Sequence, residues 1–235
     1  MKFRQEKPIN QRKYSNKVIP ITYKILNSKG QFLQPEKTLI LDEKTTSIEL
    51  KNLSKKPAIS LLNSFSAPVI VEFKQSIDDL FAILEFETDF TSVWMTKKKL
   101  DYIALEKIAS DQPNIENVIS RIYEILINKV HTPALLAKLL EPLNDNEYFS
   151  TLIETTTPDP KAIKTTLRKY EDLYKRYFKE FSITYLKNFV LNRQYLRDNS
   201  NFQERLLACA LMFLNRGTNL LDNFLDIIFN TSNNN

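Results

Sequence analysis

The sequence is poorest in glycine, with two in 235 residues. Gly-rich phosphate loops need several glycines close together so that backbone N–H groups can reach the phosphate, which excludes that class. There is one histidine, His131, and one cysteine, Cys209. A hydrolytic zinc needs about three protein ligands, and the zincin form needs two histidines one helical turn apart, so no metal site is expected in this chain. A Cys–His nucleophilic pair would have to use Cys209 and His131. Cys209 stands within LLACALMFL, where a small buried thiol is the expectation. A lone cysteine forms no internal disulfide, and the expected location is a reducing one, the cytoplasm. No run approaches the ~20 apolar residues of a membrane helix, and no membrane partner is expected. The opening MKFRQEKPINQRKY has positive charge but no apolar core behind it, unlike a secretory signal. The net charge of +5, from 33 basic and 28 acidic residues, is too small to demand a nucleic-acid partner.

What is present divides in two. Up to about residue 73 the pattern is that of strands. Ile19, Ile21, Tyr23 and Ile25 alternate with Pro20, Thr22 and Lys24, and period two places the four on one face of a sheet. Lys2–Arg4, Phe32–Leu33, Thr38–Leu41, Thr46–Leu50, Ala58–Leu62 and Val69–Phe73 are further strand candidates. Asn27-Ser28-Lys29-Gly30 reads as a turn in which Gly30 can take positive φ. Spacing near ten residues, with turn residues between, predicts a β-sandwich. Its first candidate sits at the very N-terminus, so it is expected to lack its first strands.

From Ser76 the period becomes helical. Ser76 with Asp78 and Asp79 forms a capping pattern. Asn114, Thr132-Pro133, Asn144 with Glu147, and Asp159-Pro160 are further helix starts. The longest helix follows Asp159, with an apolar stripe through Leu167, Tyr170, Leu173, Tyr174, Tyr177, Phe178, Phe181, Tyr185, Leu186, Phe189 and Val190. Leu206–Leu214 reads as a buried helix, and Leu220–Phe229 as the last one. Short helices on short loops predict stacked antiparallel hairpins, bundle-like or solenoid-like. The fold class is therefore α+β in two segments, a sandwich over 1–74 and an all-helical part over 75–235. The pivot between them is Leu61–Phe73, LLNSFSAPVIVEF.

Remaining candidates for chemistry are sparse. Asp78 and Asp79 are helix-start charges, and Asp222 and Asp226 lie four apart on a helix face; no catalytic role is expected of either pair. Lys164, Arg168, Lys169, Lys175, Arg176, Lys179, Lys187, Arg193 and Arg197 accompany many tyrosines, a recipe for nucleic-acid binding. The competing reading, an amphipathic helix with aromatics inward, takes the rings away from stacking, so no nucleic-acid partner is expected. The run Lys97-Lys98-Lys99 reads as a solvated face.

The string Pro57-Ala58-Ile59-Ser60 to Phe65-Ser66-Ala67-Pro68-Val69 resembles the close of the third domain of bacterial aminopeptidase N, the alanyl-aminopeptidase branch of the zinc gluzincins. Other pieces match in order: Gln5-Glu6-Lys7-Pro8 with Ile19-Pro20-Ile21, the turn Asn27 to Gly30, Asp89 with Trp94, Asp159-Pro160 to Arg168, Leu211-Met212-Phe213-Leu214, and Asn234-Asn235. Val93, Lys98 and Ala208 depart from that family's arginine, glutamine and asparagine. The resemblance implies an Ig-like sandwich followed by the first half of a solenoid-like helical domain, truncated at its end. It further implies that the parent enzyme's zinc ligands and catalytic glutamate lie upstream, outside this chain. No catalytic or metal residue carries over, and substrate-binding residues stay unknown. The expected partners are the catalytic domains of the same enzyme, in cis or as a separate chain, with peptides met only through them. The alternative is a free-standing protein-interaction module. If the helical part is cut midway, Leu220, Leu221, Phe224, Leu225, Ile228 and Phe229 are expected to be left uncovered, with a tendency to aggregate.

Overall fold

The structure is a computed structural model that describes residues 1–6, 15–27, 29–51, 53, 56–130, 132–143, 145–153, 159–191, 201–219 and 221–222. It divides into two compact units, Met1–Lys97 and Lys98–Asn235.

The first unit contains β1 (Lys2–Arg4), β2 (Ile19–Leu26), β3 (Lys37–Leu41), β4 (Thr45–Ser47), β5 (Ala58–Leu61) and α1 (Ile77–Phe86), with the start of α2 (Phe90–Ala109). Two antiparallel sheets form, β1–β4 and β3–β2–β5. Phe3 of β1 packs on a core of Ile21, Leu41, Leu62 and Ala67 from the other sheet and its exit. Burial goes beyond the alternation expected of β2. Leu26 joins Ala58 of β5 and Ile83 of α1 in a second core, so helix and sheet bury each other's apolar sides. The Gln5 amide ties the opening to the sheet: Nε2 donates to the carbonyls of Lys17, Leu41 and Glu43, and Oε1 accepts from the Lys17 N–H.

The turn after β2 forms as expected. Asn27 Oδ1 accepts from the N–H groups of Lys29 and Gln31, and Gly30 has φ +77°. A Cβ at Gly30 would run into the Phe86 ring. Gly30→Ala is therefore strained in both backbone and packing. It is expected to cost about 1–3 kcal/mol, read as a lower urea midpoint at unchanged slope.

Three strand expectations change. Thr46–Leu50 shortens to the three residues of β4, and Val69–Phe73 forms no strand. Pro68 has no N–H to give a ladder, and Ile70 is 97% exposed. Apolar β-formers make a strand only where a neighbour offers a pleated, half-buried surface. Phe32 makes only an isolated bridge to Leu26.

The second unit contains the rest of α2, α3 (Ile115–Lys129), α4 (Pro133–Leu139), α5 (Asp145–Ile153), α6 (Pro160–Leu191) and α7 (Phe202–Leu214). Helix α6 packs against α3, α5 and α7, and α7 packs against α4. Its buried stripe includes Ile163, Leu167, Tyr170, Tyr174, Phe178, Leu186 and Val190. Tyr170, Tyr174 and Phe178 rise one turn apart as a ladder of rings at 4.7 and 5.6 Å, and Tyr123 of α3 meets Phe178 edge-on at 5.0 Å. Helix starts follow the sequence with different chemistry. Asp159 Oδ1 accepts the Lys161 N–H, whereas Asn114 and Thr132 make no side-chain cap bond. Asn114 instead takes φ +68°.

Three expectations are corrected. The run Lys97-Lys98-Lys99 is not a solvated face: Lys97 is buried, because α2 turns that position inward, and Lys98 and Lys99 are half-buried. Cys209 is exposed, not buried. Leu206 and Phe213 are exposed as well, since α7 buries only Leu207, Ala208, Leu211 and Leu214; a single helix face is covered, whatever its composition. His131, Asn144, Arg193, Arg197, Asp226, Asn234, Asn235 and all of Leu220–Phe229 except Leu221 and Asp222 lie outside the described residues, as do Lys7, Pro8 and Ser28.

Candidate functional site

The densest polar constellation sits where the strands end, within the pivot. Directly after β5 the chain makes one 3-10 turn, Asn63–Phe65. Leu62, Ser64 and Phe65 all have φ between 54° and 59°, a region costly for residues with a Cβ. Side chains from three elements hold this turn. Asn63 is wholly buried; its Nδ2 lies 3.2 Å from Ser60 Oγ, 3.1 Å from Glu87 Oε2 and 3.1 Å from Ser92 Oγ. Ser64 donates through N–H and Oγ to Asp89 Oδ1, at 2.9 and 3.2 Å. Ser66 Oγ accepts the Thr22 N–H of β2.

Glu87 lies at the centre, with its side chain fully shielded. Lys24, its side chain only 14% exposed, donates through Nζ to Glu87 Oε1 at 2.7 Å. The Thr88 and Asp89 N–H groups donate to the same oxygen at 2.7 and 2.9 Å. Burial pushes the Glu87 carboxyl up; Lys24, the Asp89 N–H, Ser60 and the Thr88 N–H together outweigh it and hold it below its ordinary value of 4.5. Asp89 is the N-cap of α2, with Oδ2 accepting the Ser92 N–H and Oγ at 2.8 Å. Burial raises its carboxyl, and the donors of Ser92 and Ser64 bring it below its ordinary 3.8. These groups can bind, orient and fix, and the Glu87 carboxylate is shielded from solvent.

Among the described residues the sequence-derived candidates do not converge on a site. Asp79 closes a capping box with Ser76, each N–H donating to the other's side chain at 3.1 Å. Asp222 is exposed. Among the described residues no group of three or more His, Cys, Asp and Glu could hold a metal ion, so the described residues offer no set that fits the zinc that the resemblance implies for the parent enzyme. No helix among the described residues is long and apolar enough to cross a membrane. The basic residues of α6 face outward: Arg176 pairs with Glu116 at 2.6 Å and Lys169 with Asp111 at 3.4 Å. These pairs border an open cleft of about 520 Å³ floored by Ile108, Ile115 and Leu173.

The end of β5, the turn and the close of the strand region thus form one folded module with helical supports. Residues 1–74 match the family described as "Domain of unknown function (DUF3458) Ig-like fold". The first segment is thereby Ig-like, and the segment after it is helical. The fold over 85% of the chain is similar to the crystal structure of Legionella pneumophila aminopeptidase A in complex with aspartic acid, with a TM-score of 0.65 and 23% identity. The chain covers 24% of that structure's length. No curated protein matches.

Lys24, Asn63, Glu87 and Ser92 were not singled out in the sequence as a constellation. Lys24 and Glu87 are 63 residues apart, and no local spacing signals such a pair. Asn63 and Asp89 did lie within or beside the strings that carry the resemblance.

Proposed function

We propose that this chain is the non-catalytic scaffold of an aminopeptidase N-like zinc metallopeptidase, an enzyme that removes N-terminal amino acids from peptides. The observation that carries the reading is the fold likeness to a quarter-length stretch of an aminopeptidase, spanning both the Ig-like and the helical segments. The ordered strings from Gln5 to Asn235 support it independently. In this reading the latch around Glu87 holds the last part of the Ig-like segment rigid, while zinc and the catalytic carboxylate belong to other domains, in cis or on a separate chain.

The test is an aminopeptidase assay on the purified chain with zinc and amino-acid p-nitroanilides. No turnover is expected from the chain alone. Binding to the catalytic portion of such an enzyme is expected, with a gain in that portion's thermal stability. Turnover by the chain alone refutes the scaffold role; absence of any binding favours a free-standing interaction module.

A further inference from the structure

The basic excess of the chain is gathered on one stretch of one helix. Between Pro160 and Lys179, α6 carries seven basic and two acidic side chains, an excess equal to the net +5 of all 235 residues. Helix stability does not account for it. The first turn of a helix favours acidic residues, whereas that of α6 holds Lys161 and no acidic side chain. Lys161, Arg168, Lys169, Arg176 and Lys179 are all exposed, and their helical spacing sets them on one face in a line about 27 Å long. Lys161, Arg168 and Lys179 meet no carboxylate among the described residues. Lys169 and Arg176 meet Asp111 and Glu116 through pairs whose side chains are more than half exposed, and such pairs contribute little.

The open cleft of about 520 Å³ lies midway along this line, with Lys169, Asp172 and Arg176 on its α6 side. Lys107 of α2 also lines it and bonds the neutral Gln112 at 3.3 Å. The floor is aliphatic, formed by Ile108, Ile115 and Leu173. We propose that this face docks an acidic segment of a partner protein, with one apolar side chain of that segment seated in the cleft. The complementarity is double: carboxylates meet the line of cations, and the apolar side chain meets the aliphatic floor. A nucleic acid is the poorer match, because Tyr170, Tyr174 and Phe178 are buried and leave no ring on this face for a base to stack on. The inference concerns the second unit alone and does not rest on the scaffold reading.

The probe is a fluorescein-labelled peptide of glutamates around one central leucine, titrated with the full chain at low ionic strength and read by fluorescence anisotropy. Saturable binding that weakens with added salt is expected. Serine in place of the central leucine is expected to weaken it at least about fivefold. Arg168→Glu is expected to weaken it about fivefold. Lys51→Glu makes the same change in net charge at an exposed position of the first unit and is expected to leave it unchanged. Asp172→Asn removes the one carboxylate on the α6 side of the cleft and is expected to tighten binding. Helical circular dichroism is expected to be the same for every variant. Lys179→Glu, at another exposed position of the line, repeats the test should Arg168→Glu lose helix. No binding at low salt overturns the proposal. Equal affinity for the leucine and serine peptides leaves the cleft unused and overturns it. Equal losses in Arg168→Glu and Lys51→Glu reduce the effect to net charge and overturn it too. Tighter binding of a double-stranded DNA oligomer than of the peptide makes the face a reader of phosphates, which overturns it as well.

Discussion

Glu87→Ala is expected to lower the stability of the first unit by about 3 kcal/mol at neutral pH. Removing one member of a buried ion pair leaves the other under-compensated; Lys24 then has only Glu36, at 3.6 Å, as a carboxylate partner among the described residues. Here it also strips the Glu87 acceptor from the Thr88 and Asp89 N–H groups and removes one of the three acceptors around Asn63 Nδ2. Trp94, the chain's one tryptophan, lies in this unit, so urea unfolding followed by its fluorescence reports the loss. The sign with pH follows from the lowered Glu87 carboxyl. A carboxyl depressed by folding contributes fully above its unfolded value and loses the contribution as pH falls through its folded one. The gap between the natural chain and Glu87→Ala is therefore expected to be full above pH 4.5 and to shrink at more acidic pH. A gap as wide in strong acid as at neutrality contradicts a role for the charge. Replacing Lys24 by Met together with Glu87 by Leu is expected to recover only part of the loss, since the backbone donors stay unmet.

Phe178→Ala is expected to cost the second unit about 3–5 kcal/mol. The ring is wholly buried and touches both Tyr174 and Tyr123, so truncation leaves a cavity at the centre of α6 and unseats α3. The milder Tyr174→Phe keeps the ring but removes the 2.9 Å bond from its hydroxyl to the buried Asp101 carboxylate, for an expected loss of about 1–3 kcal/mol. Urea unfolding followed by helical circular dichroism orders the two. Equal losses would mean that the hydroxyl, not the ring stack, dominates this core. Burial, then the Asp101 charge, hold the Tyr174 and Tyr170 hydroxyls well above the usual tyrosine range, so both stay neutral while the unit is folded.

The elements that a local rule governs were legible from the residues. Gly30 in its turn, the Ser76–Asp79 box and the α6 stripe each depend on spacings of two to four residues. The α6 cations stand outward, as the amphipathic pattern requires. What escaped depends on partners far along the chain. Val69–Phe73 has strand composition but no strand beside it. Lys97 looks like its two neighbours in sequence, yet its position on α2 points inward. Cys209 sits in an apolar run, yet helical period turns it to the open side. The latch was the least legible, because Lys24, Asn63, Glu87 and Asp89 gain their meaning only once β2, the turn and two helix ends have met.

The divided carboxylate of Asp89 also sets an order of events. One oxygen anchors Ser64, 25 residues back, and the other starts α2. Closing a loop of that length costs chain entropy before any contact returns it. The cap of α2 spans three residues and needs no distant partner, whereas the bond to Ser64 is made only once the turn behind β5 has wound. A chain with residues 62–66 still extended can already hold its helix start at residue 90, and the same side chain then has one oxygen left to catch the turn.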